Sequence, residues 1–339
     1  MAFPPFHPAI VAYLVLAYIV YFSYKSIRTI YYAWISFAIF ERSVNLDWQG
    51  TLEESEMDYS DVIHVALITN AIEPVEIVDR TVECLQNQTF PVKQTIVLLA
   101  LEKRFEETAK ARADFIKKKY RGVFKDIIDT YHPLLPGEVV GKASNAAFAA
   151  KELYEYVQKK GLDPKKVVVT VMDTDSQLHH SYYSCLTYKY LKDAKRDFHF
   201  FAAPVLLYNH FWALALPVRL QTIISSVLRL SLLPQERKFI QISTYSCSID
   251  MLHRIGYWDT DIIPEDWHIH LQAFYTLGAE VQTIPIYLPI VRDGVYAPKL
   301  MKALQIRYQQ EKRWAWGART SPMLFGSRSS LRMFRSSNG

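Results

Sequence analysis

Two carboxylates one residue apart, Asp173 and Asp175, follow directly on residues 166–172 (KVVVTVM), the most strand-like run in the chain. Hard divalent cations take oxygen ligands and keep positions open for diphosphate oxygens and water. A cation held there would offset charge developing on a departing diphosphate. The pair therefore reads as a Mg2+ or Mn2+ site. The same spacing recurs at Asp259-Thr260-Asp261, but Gly256 and Trp258 just before it indicate a turn. Three further segments carry chemistry-bearing side chains. Gly141-Lys142-Ala143-Ser144-Asn145 stands at a helix start, where a lysine charge and unpaired N–H groups favour a phosphate; a plain helix start capped by Ser144 would read the same way. Pro264-Glu265-Asp266-Trp267 offers an acid that could take the proton of an acceptor hydroxyl, although acids in a first helical turn also complement the macrodipole. Gln310-Glu311-Lys312-Arg313-Trp314 supplies a guanidinium fork for phosphate oxygens and an indole face for a sugar ring; an interfacial helix anchored by Trp and Arg is the competing reading.

The elements that must position these groups alternate. Residues 62–69 (VIHVALIT) and 94–101 (QTIVLLAL) read as buried strands. Residues 74–88 have helical spacing, 105–120 form a charged helix, and a helix from Ser144 runs to the stop at Gly161. Residues 124–131 form a further stretch before the turn at Pro136-Gly137. Strand, helix, strand, helix, helix, strand is the order of an α/β fold with a mostly parallel sheet and helices on both faces. Ligands in such sheets sit at the carboxyl ends of the strands, where the acidic pair falls. Residues 206–233, rich in apolar and aromatic residues with only Arg219 and Arg229 charged and interrupted by Pro217, read as an amphipathic segment against the domain or a membrane.

Of the 339 residues, 50% are apolar and 22% charged, which allows a sizeable core and argues against wholesale disorder. The net charge of +5 is uneven: residues 292–339 hold ten bases against two acids, while the preceding 291 carry a net −3. A basic end on a near-neutral body suggests an anionic partner. Nucleic acid is disfavoured, because no basic-aromatic repeat or reading helix accompanies the charge. Cys84, Cys185 and Cys247 lack C-x-x-C spacing, which argues against a disulfide framework or structural zinc and for a reducing setting. Residues 8–24 carry no charge and are just long enough to span a bilayer core; a buried core helix is the alternative. Residues 29–40 are too short to span alone and either lie at the interface or continue the first helix. Lys25 and Arg28 on the carboxyl side place the remainder in the cytoplasm by the positive-inside rule.

Taken in order, TNAIEPVEIVDRTVECL, GKASN, VTVMDTD, PEDW and QQEKRW resemble glycosyltransferase family 2 enzymes with the GT-A fold, especially the membrane-embedded branch that includes cellulose and hyaluronan synthases. The likeness covers about residues 60–317. It implies a Rossmann-like sheet at 61–290 behind a membrane anchor at 1–40 and a linker at 41–60, with an interfacial segment at 291–320 and a basic tail at 321–339. It implies an enzyme that moves a sugar from a nucleotide-diphosphate donor to a glycan or lipid-linked acceptor, beside membrane lipids. Asp173 and Asp175 would hold the metal, and Asp266 would be the general base. Glu73, Glu102, Lys142, Asn145, Asp173 and Arg313 would face the donor, and Glu265, Trp267, Gln310 and Trp314 the acceptor. The family's second strand ends in an acidic pair, whereas this one ends Leu99-Ala100-Leu101-Glu102, leaving Glu102 as the substitute. A nucleotidyl or phosphoryl transferase, or a non-catalytic membrane scaffold retaining the fold, are the other classes considered.

Overall fold

The apolar runs become strands because both faces of each are covered. The computed structural model describes residues 8–235, 239–294 and 300–315, without the side chains of Arg313 and Trp314. Strands β1 (Ile63–Asn70), β2 (Thr95–Glu102), β3 (Asp126–His132) and β4 (Val167–Asp173) lie side by side in the order β3-β2-β1-β4, all parallel. Alternate residues serve two cores. Ala66, Ile68, Val97, Leu99, Val168 and Met172 pack on one face, under helices α3 (Val75–Gln86), α4 (Glu106–Lys119) and α6 (Tyr182–Lys192). Val65, Leu67, Ile96, Leu98, Val169 and Val171 pack on the other, under α5 (Lys142–Lys159), α8 (Ile249–Ile255) and α9 (Glu265–Leu277). Burial on both sides is what turns strand sequences into unbroken apolar runs rather than alternating ones. α5 approaches closely because Ala143, Ala146, Ala147, Ala149 and Ala150 form its buried face.

Past β4 the sheet continues through β8 (Tyr245–Ser248), β6 (His199–Ala202) and β9 (Gln282–Pro285). Only β8 opposes the other six, being antiparallel to both β4 and β6. A second sheet of three short strands joins β5 (Gln177–Leu178), β10 (Ile290–Asp293) and β7 (Val205–Asn209). Several expectations change in detail. Residues 126–132 form β3, an edge strand whose half-buried Asp126, Asp129 and Tyr131 hid it from an apolar-run reading. Part of the stretch expected as a linker is helix α2 (Trp48–Glu54), which buries Trp48 and Leu52. Residues 206–233 divide into β7 and α7 (Leu216–Leu232), with Pro217 in the first helical turn, where its missing N–H costs nothing. Ser144 is not the cap of α5: the helix already starts at Lys142, and the Ser144 hydroxyl donates to the carbonyls of Val139 and Gly141.

At the amino end, α1 (Pro8–Val44) is one continuous helix of 37 residues, so 29–40 continues the first apolar stretch. Among the described residues it is the one helix long and apolar enough to cross a membrane. Residues 9–27 are exposed throughout, and cover begins at Arg28, whose guanidinium donates to Gln235 Oε1 at 3.1 Å as α1 meets α7.

His64 on β1 is fully buried, stacked on Tyr183 at 4.4 Å with Nε2 2.7 Å from Thr187 Oγ1. Burial pushes its pKa down to about 3. The unfolded chain takes up this proton near pH 6.5 and the folded one does not, so stability is full above that pH and declines as pH falls toward 3. At ~1.4 kcal/mol per unit, roughly 2 kcal/mol is lost by pH 5. The urea midpoint of wild type is therefore expected to drop between pH 7 and 5 more steeply than that of His64→Phe. Parallel curves would assign the acid sensitivity to another group.

Candidate active site

The strand order reverses between β1 and β4, since the chain proceeds outward to β2 and β3 on one side and restarts at β4 on the other. Ligands of open α/β sheets bind at the carboxyl ends of strands beside such a switch point. Asp173 is the last residue of β4, and the loop after it is tied down from three sides. Thr174 Oγ1 donates to the Thr69 carbonyl of β1 at 2.7 Å, Thr81 Oγ1 of α3 to the Thr174 carbonyl at 2.5 Å, and Ser176 N to the Asp173 carbonyl at 3.0 Å. The two carboxylates therefore leave a rigid loop.

Partners converge from two other directions. β8 pairs Tyr245 with Val171, and continuing that register by two residues sets Ser243 opposite Asp173. β10 pairs Val291 with Gln177, so the next residue, Arg292, meets the loop at Asp175. The Arg292 guanidinium spans both acids: Nη1 lies 2.5 Å from Asp173 Oδ2 and Nε 2.8 Å from Asp175 Oδ1. Lys142 Nζ lies 2.8 Å from Asp173 Oδ1, 3.0 Å from Glu265 Oε1 and 2.7 Å from the Ser243 carbonyl. Ser243 joins the remaining groups. Its hydroxyl donates to Asp173 Oδ2 at 2.6 Å and accepts from Arg292 at 2.7 Å, and its N–H donates to Asp266 Oδ2 at 2.9 Å. It does so at φ 68°, a left-handed conformation that a residue with a side chain adopts only when its surroundings impose it.

Asp266 is thus gripped at both oxygens, since Trp267 N donates to Oδ1 at 2.9 Å. Its lone pairs are not exhausted by two donors, so a half-buried carboxylate of fixed orientation remains able to accept a proton. The electrostatics separate the acids. Burial alone would raise the Asp173 carboxyl, but Arg292 and Lys142 overcome it and hold the group well below the usual range. Burial moves Asp175 upward, partly offset by Arg292. It pushes Glu265 up to about 7, against the pull of Lys142 and with Asp266 and Asp173 adding to the rise. Burial disfavours the Lys142 charge, yet Asp173 and Glu265 outweigh it and the pKa rises.

Five of the residues singled out in the sequence thus meet: Lys142, Asp173, Asp175, Glu265 and Asp266. Lys142 was expected to face the donor, but its three ammonium hydrogens are matched by three protein oxygens, so in this geometry it is an internal brace. Asn145 is likewise turned inward, donating to the Ala100 carbonyl at 2.8 Å and fastening α5 to β2. Glu73 and Glu102 stand at the carboxyl ends of β1 and β2, on the same rim. Glu73 Oε2 accepts from Ala71 N at 2.9 Å, Asn70 Nδ2 at 3.1 Å and Ile72 N at 3.2 Å, closing its own loop. Glu102 pairs with Arg104 beside a recess lined also by His132, Val140, Gly141 and Ser144. Trp267 is half-buried beside Asp266, and Gln310, on α10 (Leu300–Ala315), accepts from Arg307 Nη1 at 2.7 Å. The expected roles of Arg313 and Trp314 fall on side chains outside the described ones. Sequence reasoning missed Ser243 and Arg292. Ser243 belongs to no motif, and Arg292 looked like the first charge of a basic tail. The signal it offered was its place right after the apolar residues of β10.

Whether a divalent cation suits the place can be judged from Arg292, because one cationic group already reaches both carboxylates. Among the described residues no third His, Cys, Asp or Glu completes a cluster with them. An all-oxygen pair leaving the remaining positions to diphosphate and water is how Mg2+ and Mn2+ are held at phosphate sites. The donor set fits.

No protein-family model matches this chain. Nor does any curated protein. Solved structures do show likeness. Mannosyltransferase PcManGT from Pyrobaculum calidifontis, in complex with GDP-Man and Mn2+, is 14% identical with a TM-score of 0.45, over 86% of this chain and 76% of that one. GalNAc-T7 with UDP, GalNAc and Mn2+ is 10% identical at 0.46, over 83% and 55%. S. aureus TarS is 9% identical at 0.44, over 69% and 37%. The chain thus spans about half of GalNAc-T7 and little more than a third of TarS.

Proposed function

We propose that this protein is an inverting glycosyltransferase of the GT-A type, which moves a sugar from a nucleotide-diphosphate donor to an acceptor hydroxyl at the cytoplasmic face of a membrane. The observation that carries the reading is the meeting of Asp173, Asp175, Glu265 and Asp266 around Ser243 at the switch point of the sheet. Residues about ninety positions apart come together there, in the chain order that the motif resemblance anticipates. The donor lies across the carboxyl ends of β1, β2 and β4, its nucleoside toward the rim of Glu73 and Glu102. Asp173 and Asp175 would hold Mg2+ or Mn2+, which when bound supplies positive charge to the diphosphate.

Asp266 takes the proton of the acceptor hydroxyl. The oxygen attacks the anomeric carbon from the face opposite the diphosphate, and the bond between that carbon and the diphosphate oxygen breaks, its electron pair leaving with the nucleoside diphosphate. The backbone N–H groups of Ser243 and Trp267 hold the base in one orientation throughout, so no reorganisation is needed as the proton moves. Glu265, buried beside Lys142, steadies the first turn of α9 from which Asp266 projects. α1 anchors the enzyme, with Lys25 and Arg28 on the cytoplasmic side; glycans or lipid-linked saccharides are the acceptors that suit this setting.

A panel of nucleotide sugars tests the proposal. At least one is expected to release its nucleoside diphosphate in the presence of Mg2+ or Mn2+ and to stop doing so in chelator. If the full-length chain in detergent hydrolyses or transfers from none of them, the reading fails.

A further inference from the structure

Building on the donor site just described, we propose that Arg292 is an exchangeable counter-ion, which leaves the carboxylates of Asp173 and Asp175 for the oxygens of the donor's diphosphate and, with Arg229, forms the cationic cradle of the leaving group. Arg292 contacts both acids that would hold the divalent ion. A divalent ion on the same acids would meet a half-buried guanidinium in direct contact, and like charges at that range repel more strongly than in open solvent. The guanidinium is then stable only with a new anion, and its planar fork matches phosphate oxygens as well as it matches carboxylates.

Further guanidiniums approach from that side. Arg229 comes from α7, Arg307 from α10 and Arg292 from β10. The Arg229 guanidinium donates to the Val205 carbonyl at 2.6 Å, a neutral acceptor. Burial first, then Arg292 and Arg307, bring its pKa down to about 10, while Asp266 and Glu311 oppose them. Arg307 is held in place by Glu311 at 2.7 Å and Gln310 at 2.7 Å. Val205, which holds Arg229, pairs with Ile290 two residues before Arg292, and this pairing brings a second guanidinium toward the first. Lys142 differs, because it contacts only one of the two acids and keeps Glu265 and the Ser243 carbonyl as partners when Asp173 takes up a cation.

The decisive property is opposite movement of two affinities. With the full-length chain in detergent micelles, Arg292→Gln is expected to bind Mn2+ alone about tenfold more tightly than wild type, since a competing cation is gone. The same variant is expected to bind pyrophosphate, at saturating Mn2+, about tenfold more weakly. Arg292→Lys keeps the charge without the fork: it should leave Mn2+ affinity within about threefold and still weaken pyrophosphate. Loss of both affinities together in a variant, as misfolding would cause, or no change in either, overturns the inference while leaving the enzyme assignment standing. A wild-type chain that takes up neither Mn2+ nor pyrophosphate overturns the donor-site reading and this one with it.

Discussion

Replacing Asp266 by Asn is expected to lower the proposed sugar transfer on the order of 10³-fold and to leave the affinity for donor close to wild type. The size follows from what a positioned base contributes, about 10² to 10⁴ in rate. The separation from binding follows from geometry. Asp266 touches Ser243 and Trp267 through their N–H groups and makes no ion pair with Lys142 or Arg292. The amide presents one acceptor oxygen where the carboxylate presents two, so one of those N–H groups loses its partner. That costs about 1–3 kcal/mol of stability and is visible as a lower melting temperature. Comparing turnover with donor dissociation constants at a temperature where the variant is fully folded separates the two effects. Turnover within tenfold of wild type would remove Asp266 from the role of base and turn attention to Glu265, whose carboxyl is raised to about 7.

The two acids after β4 are expected to differ sharply when each is cut to Ala. Asp175→Ala loses activity by about 10³-fold or more together with its response to Mg2+ or Mn2+, yet melts near wild type. Arg292 retains Asp173 as a partner in that variant. Asp173→Ala is also inactive, but it strips Lys142 and Arg292 of a shared counter-charge in a buried place. Removing one partner of a buried ion pair costs about 3–5 kcal/mol, much of it the penalty on the charge left behind. Calorimetric melting of the two variants side by side checks this. Equal stability would mean that solvent, rather than Asp173, compensates Lys142 and Arg292, and Asp175→Ala with full metal dependence would exclude that residue as a ligand.

How much of this was legible beforehand depended on what each segment has to bury. β1, β2 and β4 are covered on both faces, so their sequences are unbroken apolar runs and announce themselves. β8 reads Tyr-Ser-Cys-Ser: four residues, all buried, but with serine hydroxyls satisfied locally, as where Thr170 and Ser246 lie 2.8 Å apart. No hydropathy pattern marks such a strand. The site divides in the same way. Acids at the end of an obvious strand or in the first turn of an obvious helix were found, because position supplied the context that residue type lacks. Ser243 acts largely through its backbone N–H and carbonyl, which any residue possesses, and Arg292 is placed by a pairing between two strands too short to see. Lys142 was found by its charge alone. Its charge suggested phosphate, but three oxygens of the protein reached it first.

The joint between α1 and α7 links two properties that are usually handled separately. α7 carries Arg229, and just past its end Gln235 holds Arg28 of α1. Among the described residues, shortening the chain to begin near residue 28 would remove the part of α1 that is exposed throughout. Shortening it past residue 44 would bare the side of α7 that Tyr32, Ala33 and Ser36 help to shield. α1 thus divides near residue 28 into a part exposed throughout and a part that also packs on the domain while still presenting Ile30, Tyr31, Trp34 and Phe37 outward, so a shortened form that keeps the fold must retain the second part and its apolar outer face.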